Sequence, residues 1–323
     1  MIDSAEFNAF RALSAELGQD PLQVQGPGGN TSIKDGAVMH IKASGTELAE
    51  AASDDIFVAV DLAAAQAEAD GAGDGSCKAT VIDASRGLRP SIETTFHAAL
   101  SWPVVLHTHS VATLVHAISP EGRAALTDKL AGVPWAMVPY AKPGLPLTRK
   151  IMHAAAADTQ VFVLQNHGLI CAGASADAAK SLLAEIEKRL QMPAVASGAF
   201  TTNDAAPEGF SWAKETWIAQ DELAATRAAA GSYYPDHVVF LGPALPIADH
   251  DGAPPAILVA GQGIALRNGA TSSQKAMLRC LADVLARVPA DWTLEPIGTD
   301  AEGELLNWDA EKYRQALAAR SAR

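Results

Sequence analysis

The segment Trp102-Pro-Val-Val-Leu-His107-Thr-His109-Ser constrains this chain more than any other. Its apolar run predicts a buried strand, and side chains two apart on a strand share one face. His107 and His109 therefore project the same way from a rigid support. Neutral imidazole is a good zinc ligand, so the pair can reach one metal ion. Taken alone, two such histidines are more often core groups satisfied by hydrogen bonds.

Two other segments raise the metal reading. Gln165-Asn166-His167-Gly168 follows the apolar run Val161-Phe-Val-Leu164, which places His167 at a strand end. Rigid elements position functional groups well at their ends, and the glycine permits a tight turn. Arg89-Pro90-Ser91-Ile92-Glu93-Thr-Thr-Phe-His97 reads as the start of a helix over 91–101, with Pro90 in its first turn. Glu93 there either complements the helix dipole or faces the metal as its acid/base. His97, four residues on, shares that helix face and suits a supporting role.

The rest of the pattern alternates helices and strands. Helices are predicted over 4–18, 111–118, 121–130, 148–157, 177–190, 212–229 and 272–287, with a short one from about 308. Strands are predicted over 38–42, 56–60, 104–109, 161–164, 169–172, 237–241 and 256–260. Residues 70–89 read as a loop, 134–146 as a proline-broken connection and 193–209 as a linker. The linker predicts two parts, residues 1–198 and 199–323. The class is α/β, and the turn-linked strands point to a largely antiparallel sheet.

Composition removes several function classes. The 323 residues carry a formal net charge of −13, which argues against nucleic acid and anionic membranes as partners. Met1-Ile-Asp-Ser-Ala-Glu6 has neither a basic n-region nor an apolar h-region, so no signal peptide is expected. Apolar runs such as 256–260 are too short to span a bilayer. Cys77, Cys171 and Cys280 are dispersed and odd in number, giving no disulfide framework and favouring a reducing cytoplasm.

Gly26-Pro-Gly28-Gly29-Asn30-Thr31-Ser32 ends without the Gly-Lys-[Ser/Thr] of a P-loop. It still offers consecutive backbone N–H groups, an amide and two hydroxyls, which suit either an anion nest or an ordinary hairpin turn. Ser44-Gly45-Thr46 is a second short polar turn. Gly261-Gln-Gly263 lacks the third glycine of a dinucleotide fingerprint, and no His-Glu-x-x-His occurs.

In order, Gly28-Gly-Asn-Thr-Ser32, Ser44-Gly45, Pro90-Ser-Ile-Glu93, His107-Thr-His109 and Asn166-His-Gly168 resemble the class II aldolase/adducin superfamily. The tail, with Tyr234-Pro-Asp-His-Val-Val-Phe-Leu-Gly-Pro243, Val259-Ala-Gly-Gln-Gly263 and Trp308-Asp-Ala-Glu-Lys-Tyr313, is similar to the aldolase half of bifunctional rhamnulose-1-phosphate aldolase/alcohol dehydrogenases. The resemblance implies a three-layer fold with a nine-stranded, mostly antiparallel sheet between helices, and a smaller α/β C-terminal extension. It implies a homotetramer with sites at subunit interfaces. It implies Zn2+, or Mn2+ or another divalent metal, on His107, His109 and His167, with Glu93 as a fourth ligand that leaves to act as acid/base. Gly29, Asn30, Ser44, Gly45 and Ser91 fall where the family binds a substrate phosphate.

The implied reaction is reversible cleavage of a ketose or ketose 1-phosphate through a metal-stabilised enediolate. Ile92 departs from the family's Pro-Ser-Ser-Glu and removes one hydroxyl from the phosphate site. The segment between Leu130 and Pro139 is shorter than in fuculose-phosphate aldolase, where a tyrosine reaches a neighbouring site; Tyr140 is the nearest aromatic here. The same metal set serves sugar-phosphate epimerases and sugar-acid decarboxylases, and adducin carries the fold as a non-catalytic, actin-associated protein.

Overall fold

A computed structural model describes residues 4–195, 205–247 and 254–321. Helix α1 (Ser4–Gln19) leads into strands β1 (Asn30–Asp35), β2 (Val38–Lys42) and β3 (Phe57–Asp61). Helices α2 (Leu62–Ala69) and α3 (Thr94–Ala99) precede β4 (Val104–Thr108). Then come α4 (Val111–Ala117), α5 (Pro120–Lys129), β5 (Trp135–Val138), α6 (Leu145–Ala154), β6 (Val161–Leu164), β7 (Gly168–Gly173) and α7 (Ala176–Leu190). Beyond residue 205 lie β8 (Phe210–Trp212), α8 (Glu222–Ala229), α9 (Pro235–Leu241), β9 (Ala256–Val259), β10 (Gly263–Arg267), α10 (Ser272–Leu285), α11 (Thr299–Leu306) and α12 (Asp309–Ser321).

The strands form a seven-stranded sheet in the order β3-β2-β1-β4-β7-β6-β5 and a separate three-stranded sheet, β8-β10-β9. Within the large sheet only β5 and β6 run parallel. The period-2 rule sorts the central strands cleanly. Val104 and Leu106 join Val161, Val163, Leu169 and Cys171 under α1 and α7. Val105 joins Phe162, Leu164, Ile170 and Ala172 under α3 and α6. His107, two residues after Val105, therefore faces the α3 layer, where it meets the Phe96 ring edge-on.

The three-layer class is as expected, with seven strands in the large sheet rather than nine. Proline density masked β5, which occupies four residues of the predicted connection. Residues 237–241 form the helix α9 rather than a strand. A short, fully apolar run has no periodicity to separate the two; Pro235 at the first helical position was the discriminating residue. The helix predicted over 212–229 is divided into β8, a 3-10 turn at Thr216–Ala219, and α8. Helix α11 was not foreseen. The linker region lies mostly outside the described residues, as does the boundary between 198 and 199. Among the described residues no helix is long and apolar enough to cross a membrane.

The part beyond residue 205 has its core against α4. Val111, Leu114, Val115 and Ile118 pack with Tyr233, Val238, Leu278 and Leu281 in one apolar cluster. Helix α4 begins two residues after His109, with Ser110 accepting from the Thr113 N–H as its cap. The extension thus rests on the element that ends the histidine strand.

Tight strand approach is visible at Gly168, where an added Cβ would lie 2.3 Å from the Thr108 carbonyl oxygen. Overpacking of this kind costs roughly 1–3 kcal/mol. Gly168→Ala is expected to lower Tm correspondingly in thermal unfolding; an unchanged Tm would mean that β4 and β7 are not held this close.

Candidate metal centre

Strand β4 sits between β1 and β7, with His107 opposite Asn30 on one side and Ile170 on the other. The His107 Nδ1–H donates to the Leu169 carbonyl at 3.0 Å. A carbonyl can only accept, so Nδ1 carries the proton and Nε2 keeps its lone pair. His109 lies just past the strand end. His167 lies in the β6–β7 turn, after Asn166, which adopts a left-handed φ of 52°. All three rings are buried, and one nitrogen from each lies within 4.8 Å of the others.

Glu93 completes the cluster. It precedes α3 as its N-cap residue, yet its side chain makes no capping bond. Pro90 bridges to Ala43 instead of opening the helix, which begins at Thr94 rather than near 91. The freed carboxylate turns inward: Oε2 is 3.4 Å from His107 Nε2, and Oε1 is 3.5 Å from His167 Nε2. Burial alone would push this carboxyl up, but His107, His167 and the Asn30 amide outweigh it and hold it at about 2. Burial pushes the His167 imidazole down to about 3 and lowers His107 as well.

The donor set fits a divalent cation. His107 Nε2 and Glu93 Oε1 are buried with no hydrogen-bond partner. An imidazole lone pair facing a carboxylate at 3.4 Å is repulsive unless a cation satisfies both. Buried polar atoms left unpaired cost about 1–3 kcal/mol each, and two on neighbouring groups that one cation would satisfy together favour a bound ion. Three histidines with a carboxylate beside them supply the donors that such an ion takes.

A second row of polar groups fixes Glu93. The Asn30 amide donates to Glu93 Oε2 at 2.8 Å and to Ser91 Oγ at 3.2 Å. His97 Nε2 donates to Asn30 Oδ1, and Ser32 Oγ donates to His97 Nδ1 at 2.7 Å. His97 therefore orients the amide so that its N–H groups face the carboxylate.

The predicted site residues come together. Gly29, Asn30, Ser44, Gly45, Ser91, Glu93, His109 and His167 line one small cavity of about 30 Å³; His107 is not in its lining but lies 3.4 Å from Glu93. Gly29 has a φ of 58°, and an added Cβ would meet the His107 carbonyl at 2.9 Å. Gly45, at φ 82°, receives Leu317 of α12 where a Cβ would stand. The cavity holds about one water. Its neighbour is larger, about 340 Å³, and shares Ser44, Ile92 and Pro143 as walls. Arg89 and Lys142 project there over the rings of Tyr313 and Trp308. Tyr140 lines neither cavity.

Four polar residues of the wall were not anticipated. Lys42 is buried, with Nζ donating to the carbonyls of Pro27 and Thr46; burial, then the Arg314 charge, push it down to about 7. Asp236, Glu311 and Arg314 form a buried ion cluster from α9 and α12. Asp236 and Glu311 stand inside motifs that marked the tail's resemblance, but no local pattern assigned them to the metal site.

A family model described as the Class II Aldolase and Adducin N-terminal domain matches residues 10–193. The N-terminal class II aldolase domain of a conserved protein from Thermoplasma acidophilum aligns at a TM-score of 0.52 and 25% identity, over 59% of this chain and 94% of that one. L-fuculose-1-phosphate aldolase from Thermus thermophilus aligns at 0.39 and 18% identity, over 58% of this chain and 93% of that one. A Bacillus subtilis (strain 168) protein named uncharacterized oxidoreductase YuxG is 32% identical over 95 residues; the match spans 29% of this chain and 14% of that relative. With more than half of its length matched by the family model and a buried three-histidine site inside that match, the chain belongs to the class II aldolase and adducin family.

Proposed function

We propose that this protein is a metal-dependent lyase that reversibly cleaves a carbon–carbon bond in a ketose or ketose 1-phosphate. His107, His109 and His167 would hold the ion, and Glu93 would be the acid/base. The observation that carries this reading is the convergence of three buried imidazoles within 4.8 Å of one another, two of them facing the Glu93 carboxylate at 3.4 and 3.5 Å. Imidazole and carboxylate donors suit zinc best, with manganese or another divalent first-row ion as the alternative.

The bound ion would supply Lewis-acid stabilisation of the negative charge that develops on substrate oxygens as the bond breaks. The chain's own residues do the rest. Asn30 holds Glu93 Oε2, which leaves Oε1 as the oxygen available to take and return a proton. His97 and Ser32 hold Asn30 in that orientation. The Ser44 and Ser91 hydroxyls and the Lys42 amine would receive the substituent at the sugar's end. Ile92 contributes no hydroxyl there, so a phosphate would be recognised by fewer donors than in the family pattern.

Product analysis tests the reaction. Protein of measured metal content, incubated with ketoses, ketose 1-phosphates and sugar acids, is expected to release two carbon fragments from one of them. A single isomer would identify an epimerase, carbon dioxide a decarboxylase, and metal-free, inert protein a non-catalytic role like that of adducin. His107→Ala is expected to abolish stoichiometric metal in elemental analysis; retention of the ion would refute the proposed ligand set. Glu93→Gln is expected to keep metal but to lower kcat by about 10²–10⁴-fold, the usual worth of a positioned acid/base. Wild-type turnover in that variant would remove Glu93 from the chemistry.

A further inference from the structure

We propose that Asp236, carried on α9 beyond the family match, is a positioning residue for the metal centre. Its carboxylate orients the His109 ring through Nδ1 and so presents Nε2 to the ion. The proposal rests on the metal reading given above and goes beyond it, because it makes the C-terminal part of the chain a component of the metal site.

The geometry is specific. Asp236 Oδ2 lies 3.4 Å from His109 Nδ1. Facing a carboxylate, Nδ1 carries the ring proton, which leaves the lone pair on Nε2. Carboxylates behind metal-binding histidines work in this way, fixing tautomer and ring angle and raising ligand basicity. Arg314 grips Asp236 from the other side in a bidentate contact, Nη1–Oδ1 at 2.8 Å and Nη2–Oδ2 at 3.1 Å. Glu311 pairs with the same guanidinium at 2.8 Å. Burial would raise the Asp236 carboxyl, but Arg314 outweighs it and keeps the group ionised.

Two further observations show how this carboxylate and the histidine are brought together. The first is Gly28. A Cβ there would lie 2.7 Å from Asp236 Oδ2 and 2.8 Å from His109 Nδ1. The absence of a side chain at Gly28 is what leaves room for the two groups to meet. The second is Asn166, the neighbour of His167. Its amide donates to the carbonyl of Tyr233 at 3.0 Å and to that of Glu295 at 2.7 Å. The turn that carries one metal histidine thereby pins the backbone three residues before Asp236.

The competing account is a buried ion pair that only ties α9 to α12. Arg314 and Glu311 pair within α12, so Asp236 carries the ion pair across to α9; that tie does not require its Oδ2 to face His109 as well. The two accounts differ in what happens to metal binding when the contact is lost.

The test uses the full chain and cobalt(II), whose affinity is read by chelator competition and whose geometry is read from its visible spectrum. Asp236→Asn keeps volume. The double variant Asp236→Ala/Arg314→Met strands no buried guanidinium but leaves Glu311 without its partner, a cost that the unfolding control reads. Gly28→Ala keeps the Asp236 and Arg314 side chains and wedges His109 from Asp236. All three are expected to weaken cobalt binding about 10–100-fold and to shift the visible bands, with metal-free unfolding followed as the control on folding. Wild-type affinity and spectrum in Asp236→Asn and Gly28→Ala would overturn the proposal, whatever the double variant does. Wild-type protein that takes up no cobalt would instead overturn the metal reading on which it rests.

Discussion

A buried imidazole has to place both nitrogens, and that requirement organises this molecule. His107 gives Nδ1 to the backbone of the neighbouring strand, which leaves Nε2 no partner inside the protein. His109 finds a carboxylate from the far end of the chain. The register of β1, β4 and β7 then decides what surrounds the remaining lone pairs: Asn30 comes from the strand on one side, and the β6–β7 turn brings His167 on the other. Gly29 and Asn166, both with left-handed φ, stand beside two of the converging histidines.

The large sheet and the histidine row were legible because they obey short periods. Strands β4, β6 and β7 alternate between two apolar layers, and a row of side chains two apart needs no tertiary knowledge. The ordered motifs supplied Glu93 and His167, whose meeting with His107 depends on long-range pairing that no local pattern contains. Helix α9 was obscured by its full burial, which erases the amphipathic signature, and β5 by its prolines. Asp236 was obscured for a different reason: its partner lies 127 positions earlier, and only packing joins them.

The polar groups also show a division of labour that composition would not suggest. The chain is strongly acidic, yet the wall of its inner cavity carries Lys42 and Arg314 beside Glu93, Asp236 and Glu311. Local pairing rather than global charge sets the field there. Arg314 is neutralised twice over, whereas the Lys42 amine donates to two carbonyl oxygens and is pushed down by burial. The first joins α9 to α12, and the second is anchored on the backbone of the cavity wall.

The seating of the later residues on α4 has a corollary for truncation. Removing them would bare Val111, Leu114, Val115 and Ile118 and strip the carbonyls that Asn166 satisfies. A chain cut before Tyr233 would carry an exposed apolar face and an unpaired Asn166 amide. Gly28, which leaves room for Asp236 beside His109, and Asn166, which holds the Tyr233 carbonyl, are the points where the two parts meet at the histidines.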